Sequence, residues 1–194
     1  SLFEAATALA LDHFARAEVE IAVLEVGMGG RLDATTVGEP LVSVITRIDY
    51  DHQAYLGWRL EEIAGEKAAF IRSGRAVAGA QAPEVTEVLF RRAESARVPL
   101  LLEGRDLGVS VMRADLTGQR LDMTGPGWAL SDLWLPLLGR FQPGNALLAV
   151  AAVKELSPSG VEVSEAAIRE GLSRVRWPGR FQVVGQSPWV VLDG

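Results

Sequence analysis

The sequence predicts an α/β fold: a mostly parallel sheet with helices on both faces, and a small antiparallel β patch. Three observations carry this. Apolar runs of strand length alternate with helical stretches as far as about Gly104. Beyond Gly104 the text turns short, alternating and turn-rich. The chain has 194 residues, 48% hydrophobic and 23% charged, enough for one sizeable domain with its own core.

Taken in order, Phe3, Ala6, Ala10 and Phe14 recur at helical spacing, so a helix opens the chain and ends near Arg16. "VEIAVLEV" (Val19–Val26) reads as a buried strand and "LVSVIT" (Leu41–Thr46) as a second. Arg59–Arg72 is helical, and "RAVAGA" (Arg75–Ala80) is a third strand. Pro83–Arg97 is a helix with proline at its start, where a missing N–H costs nothing. The strand "VPLLL" (Val98–Leu102) follows. "LGVSVMRAD", "GQRLDMTGPGW" and "SDLWLPLLG" form the antiparallel patch. Two helices come next, Pro143–Leu156 and Ser164–Val175, and "RWPGRFQVV" leads into a strand, "WVVLDG". A packed helix at the first residue, and a strand ending in Asp-Gly where a loop usually begins, predict further residues on both sides.

Composition excludes several chemistries. There is no cysteine, hence no disulfide, zinc–thiolate site or cysteine nucleophile. Only two histidines exist, His13 and His52, too few for a multi-histidine metal site. No apolar run approaches the ~20 residues that span a bilayer, and no signal peptide is visible. The expected compartment is the cytoplasm, without a membrane partner. A net charge of −6 and the lack of a basic tract argue against nucleic acid. An anionic ligand would need positive charge from a few arginines or a metal.

The most informative stretch is "EVGMGGRLDATTV" (Glu25–Val37). A dinucleotide fingerprint needs G-x-G-x-x-G; Gly27 and Gly29 fit, but Leu32 holds the third position. A phosphate loop, G-x-x-x-x-G-K-[ST], is absent throughout. What remains is an acid, Glu25, at the carboxyl end of an apolar run beside a glycine turn, where open parallel sheets bind ligands. Glu25 is either a ligand there, or a helix cap or ion-pair partner of Arg31. The next strand runs into "TRIDYDH", which places His52, beside Asp51, past a neighbouring strand end. His52 is either a ligand or a structural hydrogen-bonder. Lys67 shares a helix face with Ile63 and Ile71. It either snorkels, or its burial favours the neutral, reactive amine. Read alone, Asn145 near a helix start is a cap and Arg180 a surface ion pair. Asp193 beyond a strand end is a weak ligand signal.

Five segments together, "FEAATALALDHF", "LEVGMGGRLDATTV", "ITRIDYDHQAYLGWRLEEIAGEKAAFI", "LLGRFQPGNALLAVAAV" and "WPGRFQVV…VVLDG", resemble the folylpolyglutamate synthase / dihydrofolate synthase family of the Mur ligase superfamily. The resemblance covers nearly the whole chain in the right order. It implies a Mur ligase central domain, P-loop NTPase-like, over residues 1–186, with its phosphate loop lying upstream. Residues 187–194 would be the hinge and first strand of a C-terminal domain. Such a fragment would be inactive alone. The implied reaction is ATP-dependent addition of glutamate to folate or dihydropteroate through an acyl phosphate.

The same resemblance implies roles. Glu25 and His52 become magnesium ligands, with manganese a reasonable substitute, and Lys67 becomes carboxylated. Asn145, Arg180 and Asp193 contact ATP. Leu32, Asp33 and Ala34 line the pterin-side pocket, with Phe3 and Glu4 of "SLFE" on another wall. Phe141 stands where the family has histidine, and Thr36 where it has asparagine. A carboxylated lysine suits magnesium's preference for oxygen, whereas imidazole more often suits zinc, copper or iron. The implied protein is a monomer. Two rivals stand beside this reading: another Mur-type amino-acid ligase, against which the "GGRLDAT" stretch argues, and a binding-only remnant, against which the joint presence of Glu25, His52 and Lys67 argues.

Overall fold

The computed structural model describes residues 1–194, all but the side chain of Gln186. It divides into two compact units: Ser1–Ser43, Ile48–Arg75 and Gln81–Pro99 form one, and Val44–Arg47, Ala76–Ala80 and Leu100–Gly194 the other.

In the first unit, α1 (Leu2–Arg16) opens with a capping box. The Ser1 hydroxyl accepts the Glu4 N–H at 3.2 Å, and the Glu4 carboxylate takes the Ser1 amine, so two donors at the helix start are satisfied. No α1 side chain is buried. The expected strand Val19–Val26 is a correction. Residues 21–26 have no regular structure, and Val19, Ile21, Val23 and Leu24 are exposed. An apolar run becomes a strand only when another strand takes its N–H and C=O groups, and among the described residues none pairs with this one.

Further on, α2 (Gln53–Leu56) is a single turn, α3 spans Leu60–Ala68 and α4 spans Pro83–Ala96. The Glu62 carboxylate fixes the start of α3 by accepting N–H groups from Trp58 (2.8 Å) and Arg59 (3.2 Å). Ile63 and Ile71 on one side, and Val85 and Leu89 on α4, are fully buried where α3 and α4 pack on each other. Ile63 and Ile71 stand eight residues apart with Lys67 midway, the face that the sequence shows, although α3 ends at Ala68, short of Ile71.

The parallel sheet, ordered β1 (Val42–Ile45), β2 (Arg75–Ala78), β3 (Leu100–Leu102), belongs to the second unit except for Val42, Ser43 and Arg75. β2 and β3 run parallel with Ala76 opposite Leu100. Ala76, Val77 and Ala78 are all buried, as expected for a strand covered on both faces. The antiparallel patch is a meander of β4 (Gly108–Asp115), β5 (Gly118–Gly125) and β6 (Trp128–Leu135). Its buried face carries Leu121, Met123, Leu130, Leu133 and Leu135. Against it lie α5 (Gln142–Lys154) on β4 and β5, and α6 (Glu165–Arg174) on β6. Arg169 of α6 donates to the Ser131 carbonyl at 2.8 Å, tying helix to strand. The chain closes on an antiparallel hairpin, β7 (Gln182–Gln186) with β8 (Trp189–Leu192). The expected domain boundary at 186/187 falls in its turn. No described helix is long and apolar enough to cross a membrane.

Candidate functional site

The glycine stretch is a turn stitched by its own aspartate. Asp33 is 8% exposed. Its Oδ2 accepts N–H groups from Gly27 (3.0 Å) and Met28 (2.9 Å), and its Oδ1 accepts the N–H (2.9 Å) and hydroxyl (2.5 Å) of Thr35. Burial opposes its ionisation, but the Thr35 hydroxyl and the N–H groups of Met28, Thr35 and Gly27 outweigh that and hold the carboxyl below its ordinary range. Asp33 also caps the 3₁₀ turn Ala34–Val37. The side chain expected to line a substrate pocket is therefore committed to the loop. The Asp-x-Thr spacing was the signal for this role, since a short acid readily bonds the backbone two residues on.

The glycines answer to sterics. Gly29 has φ +70°, a left-handed turn that favours glycine. A Cβ on Gly30 would stand 1.9 Å from the Glu66 carbonyl oxygen, so the loop lies directly on α3, one residue before Lys67. A Cβ on Gly27 would meet the Phe3 ring at 2.7 Å, which brings α1 to the same loop. Arg72 clamps the far end by donating to the carbonyls of Thr36 (2.8 Å) and Gly38 (2.6 Å). Leu32, by contrast, is 84% exposed, and Ala34 is half-buried. Glu4 is held by Ser1 in the α1 capping box.

Of the three expected metal-side residues, Glu25 is exposed. The alternative of a Glu25–Arg31 pair is not found: Arg31 pairs with Glu66 at 3.5 Å. His52 sits in the left-handed region, φ 50°, as the residue preceding α2. Its N–H is taken by Asp51 Oδ1 at 2.7 Å, and its Nε2 lies 3.6 Å from Asp51 Oδ2. Asp51 thus holds the His52 main chain and stands near its ring without a hydrogen bond to it, a neighbour that sequence reasoning placed beside it. Lys67 is half-buried on the α3 face that carries buried Ile63. Among the described residues no group of three or more His, Asp or Glu side chains stands ready to hold a metal.

In the second unit, a cleft of about 340 Å³ is lined by Arg47, Gly79, Glu103, Arg140, Phe141 and Asn145, among others. Asn145 is not a cap: α5 begins at Gln142, and the residue before it is Phe141. The Asn145 amide faces Gln142 Oε1 at 3.5 Å. Phe141 is 62% exposed, with the Arg140 guanidinium 4.8 Å from its ring centre. At the hairpin, Asp193 Oδ1 accepts the Phe181 N–H at 3.0 Å, so Asp193 and Arg180 come to the same end of β7 and β8. The Arg180 side chain is exposed and forms no ion pair among the described residues, so the surface-pair reading is not found.

The chain belongs to the Mur ligase middle-domain family, whose model matches residues 3–153. Within that family its likeness is to folate-linked ligases. It is 42% identical over 204 residues to the dihydrofolate synthase/folylpolyglutamate synthase of Mycobacterium tuberculosis, covering 100% of this chain and 42% of that protein. The structure of Mycobacterium tuberculosis folylpolyglutamate synthase complexed with ADP superposes with TM-score 0.88 at 40% identity, over 100% of this chain and 44% of that one. A folylpolyglutamate synthase–AMPPCP–folate complex superposes with TM-score 0.92 at 34% identity, over 97% of this chain and 46% of that one. The chain thus spans less than half the length of these relatives.

Proposed function

We propose that this chain serves an ATP-dependent amide ligase that joins glutamate to a folate or dihydropteroate carboxylate. The observation that carries this is likeness along essentially the whole chain to folylpolyglutamate and dihydrofolate synthases, one of them solved with a nucleotide analogue and folate. In the same reading, residues 1–186 are the central ligase domain and 187–194 lead into a further one, and the enzyme is a cytoplasmic monomer.

The chemistry balances in two steps. A carboxylate oxygen of the pterin substrate attacks the γ-phosphorus of ATP, the bond to the bridging oxygen breaks, and ADP leaves. The glutamate amine then attacks the acyl carbon, a C–N bond forms, phosphate departs, and the amine gives up a proton. The demand on the protein is neutralisation and alignment of phosphoryl oxygens more than covalent help.

Glu25 and His52 suit a magnesium ion in donor number, because magnesium is usually held by one or two protein groups and completes its shell with water and substrate phosphates. Glu25 is free of competing ion pairs, and Asp51 holds the His52 main chain beside the ring. A bound magnesium would neutralise developing charge on the phosphoryl oxygens. Lys67, half-buried on the α3 face that carries Ile63, would be the lysine that carbon dioxide carboxylates. The stitched loop at Gly27–Val37, with Phe3 against it, would present the pterin-side surface through Leu32 and Ala34. Asn145 would read the nucleotide from the start of α5, and Arg180 would add positive charge from the hairpin, with Asp193 holding that turn.

The test is ADP formation by the full-length protein with Mg-ATP and glutamate, comparing dihydropteroate with tetrahydrofolate. Turnover requiring glutamate and one of these pterins is expected. A folded, ATP-binding protein with no pterin-dependent turnover overturns the folate assignment in favour of a different Mur-type acceptor.

A further inference from the structure

The cleft in the second unit contains an acid that the proposed chemistry does not use. Glu103 follows β3, at the carboxyl end of the parallel sheet. Its Oε2 accepts the Ala80 N–H at 3.0 Å, which fixes the side chain. Its Oε1 has no partner among the described residues. Two glycines flank the carboxylate: a Cβ on Gly79 would stand 3.6 Å from Oε2 and one on Gly144 3.4 Å from Oε1, both ordinary van der Waals contact. Gly144 lies in the first turn of α5, whose partial positive charge favours an anion there. What this wall offers a ligand is a fixed, free acceptor.

Facing the same cleft are the Phe141 ring and Asn145, an aromatic face and an amide. A flat, apolar ring with an amino group on its edge matches that set. We propose that Glu103 is a specificity-determining residue which accepts a hydrogen bond from the exocyclic 6-amine of the nucleotide's purine through Oε1. The inference rests on the reading of this cleft as the nucleotide site. It adds a discrimination that Asn145 alone does not supply, because an amide carries both a donor and an acceptor and tolerates either edge, whereas a carboxylate accepts only.

The experiment uses the full-length protein and equilibrium binding of three nucleotides: ATP, purine riboside triphosphate, which lacks the 6-amine, and ITP, which carries a 6-oxo group. The wild type is expected to bind ATP roughly tenfold or more tightly than purine riboside triphosphate, the worth of one charge-assisted hydrogen bond. In Glu103→Ala that ratio collapses towards one. In Glu103→Gln the carboxamide oxygen keeps the Ala80 N–H while its NH₂ meets the purine edge, so ATP weakens and ITP tightens. A ratio of ATP to purine riboside triphosphate unchanged in both variants overturns the inference and leaves the ligase reading standing. A folded wild-type protein that binds none of the three overturns both.

Discussion

The glycine loop of the first unit and the cleft of the second are built by opposite means. The loop is fixed by main chain: Asp33 gathers N–H groups from Gly27, Met28 and Thr35, Arg72 holds two carbonyls, and Gly30 lies on the α3 backbone. Around the cleft, Asn145 and Phe141 are exposed side chains at the start of α5, with few bonds of their own. The difference teaches where each region is vulnerable. In the loop, Asp33 and Arg72 are committed to holding the main chain, so substitutions there act through stability. At the cleft they are separable, so substitutions act through binding.

The sharpest way to break that contrast is Gly30→Ala. Its Cβ would meet a backbone carbonyl, which has no flexible end to move. The loop must lift off α3, with an expected loss of about 3 kcal/mol or more, read by denaturant unfolding. A loss under about 1 kcal/mol would mean the loop is not held as described.

Asp33→Ala comes next. It strands N–H donors of Gly27, Met28 and Thr35 in a buried turn, with an expected cost of about 2–4 kcal/mol. The pH dependence has a definite sign. The folded carboxyl lies below its ordinary range, so its contribution is fully present above the unfolded value of about 4 and is lost as pH falls through the lower folded value. Unfolding curves of wild type and Asp33→Asn should therefore converge on acidification below about pH 4. A gap that widens there would reverse the assignment.

Asn145→Ala tests the other side of the comparison. Its one bond is the long contact with Gln142, so stability should change by under about 0.5 kcal/mol. Nucleotide affinity should fall by about tenfold, measured by calorimetry. Comparable losses in both would show that the cleft, too, is structural.

The smallest effect belongs to Phe141→His. It exchanges an exposed ring under Arg140 for a more polar one. Stability should shift by at most about 1 kcal/mol, the worth of an exposed cation–π contact, and nucleotide affinity by only a few-fold, read in the same titration.

Much of the fold was legible because periodicity reports burial. The shared face of Ile63, Lys67 and Ile71 marked one helix, and Pro83 marked the start of another. The meander was legible from its alternation and its glycine turns. The apolar run at Val19–Val26 was misread, because hydrophobicity signals the capacity to pair, and the partner is not in the signal. Gln182–Gln186 was read as a lead-in and is a strand, paired by β8 across a turn. At the site, Glu25, His52 and Lys67 stood out as polar residues in conspicuous places. Asp33 was read there as a wall of the pterin-side pocket, because its bonds to the N–H groups of Gly27, Met28 and Thr35 appear only once the loop is folded. Glu103 was invisible in the sequence, since its significance depends on Gly79–Ala80 and Gly144, two segments distant from it in the chain, lying beside it.

The sequence by itself determined the family, the order of elements and the residue types that can carry the chemistry, because local periodicity and short motifs are written in consecutive residues. Only the tertiary structure decided which acids are free. Asp33 is spent on its own loop, Glu62 on the start of α3 and Asp51 on His52, while Glu103 keeps one oxygen open to the cleft. A carboxylate's availability depends on which donors surround it in space, and those donors come from segments that only folding brings together.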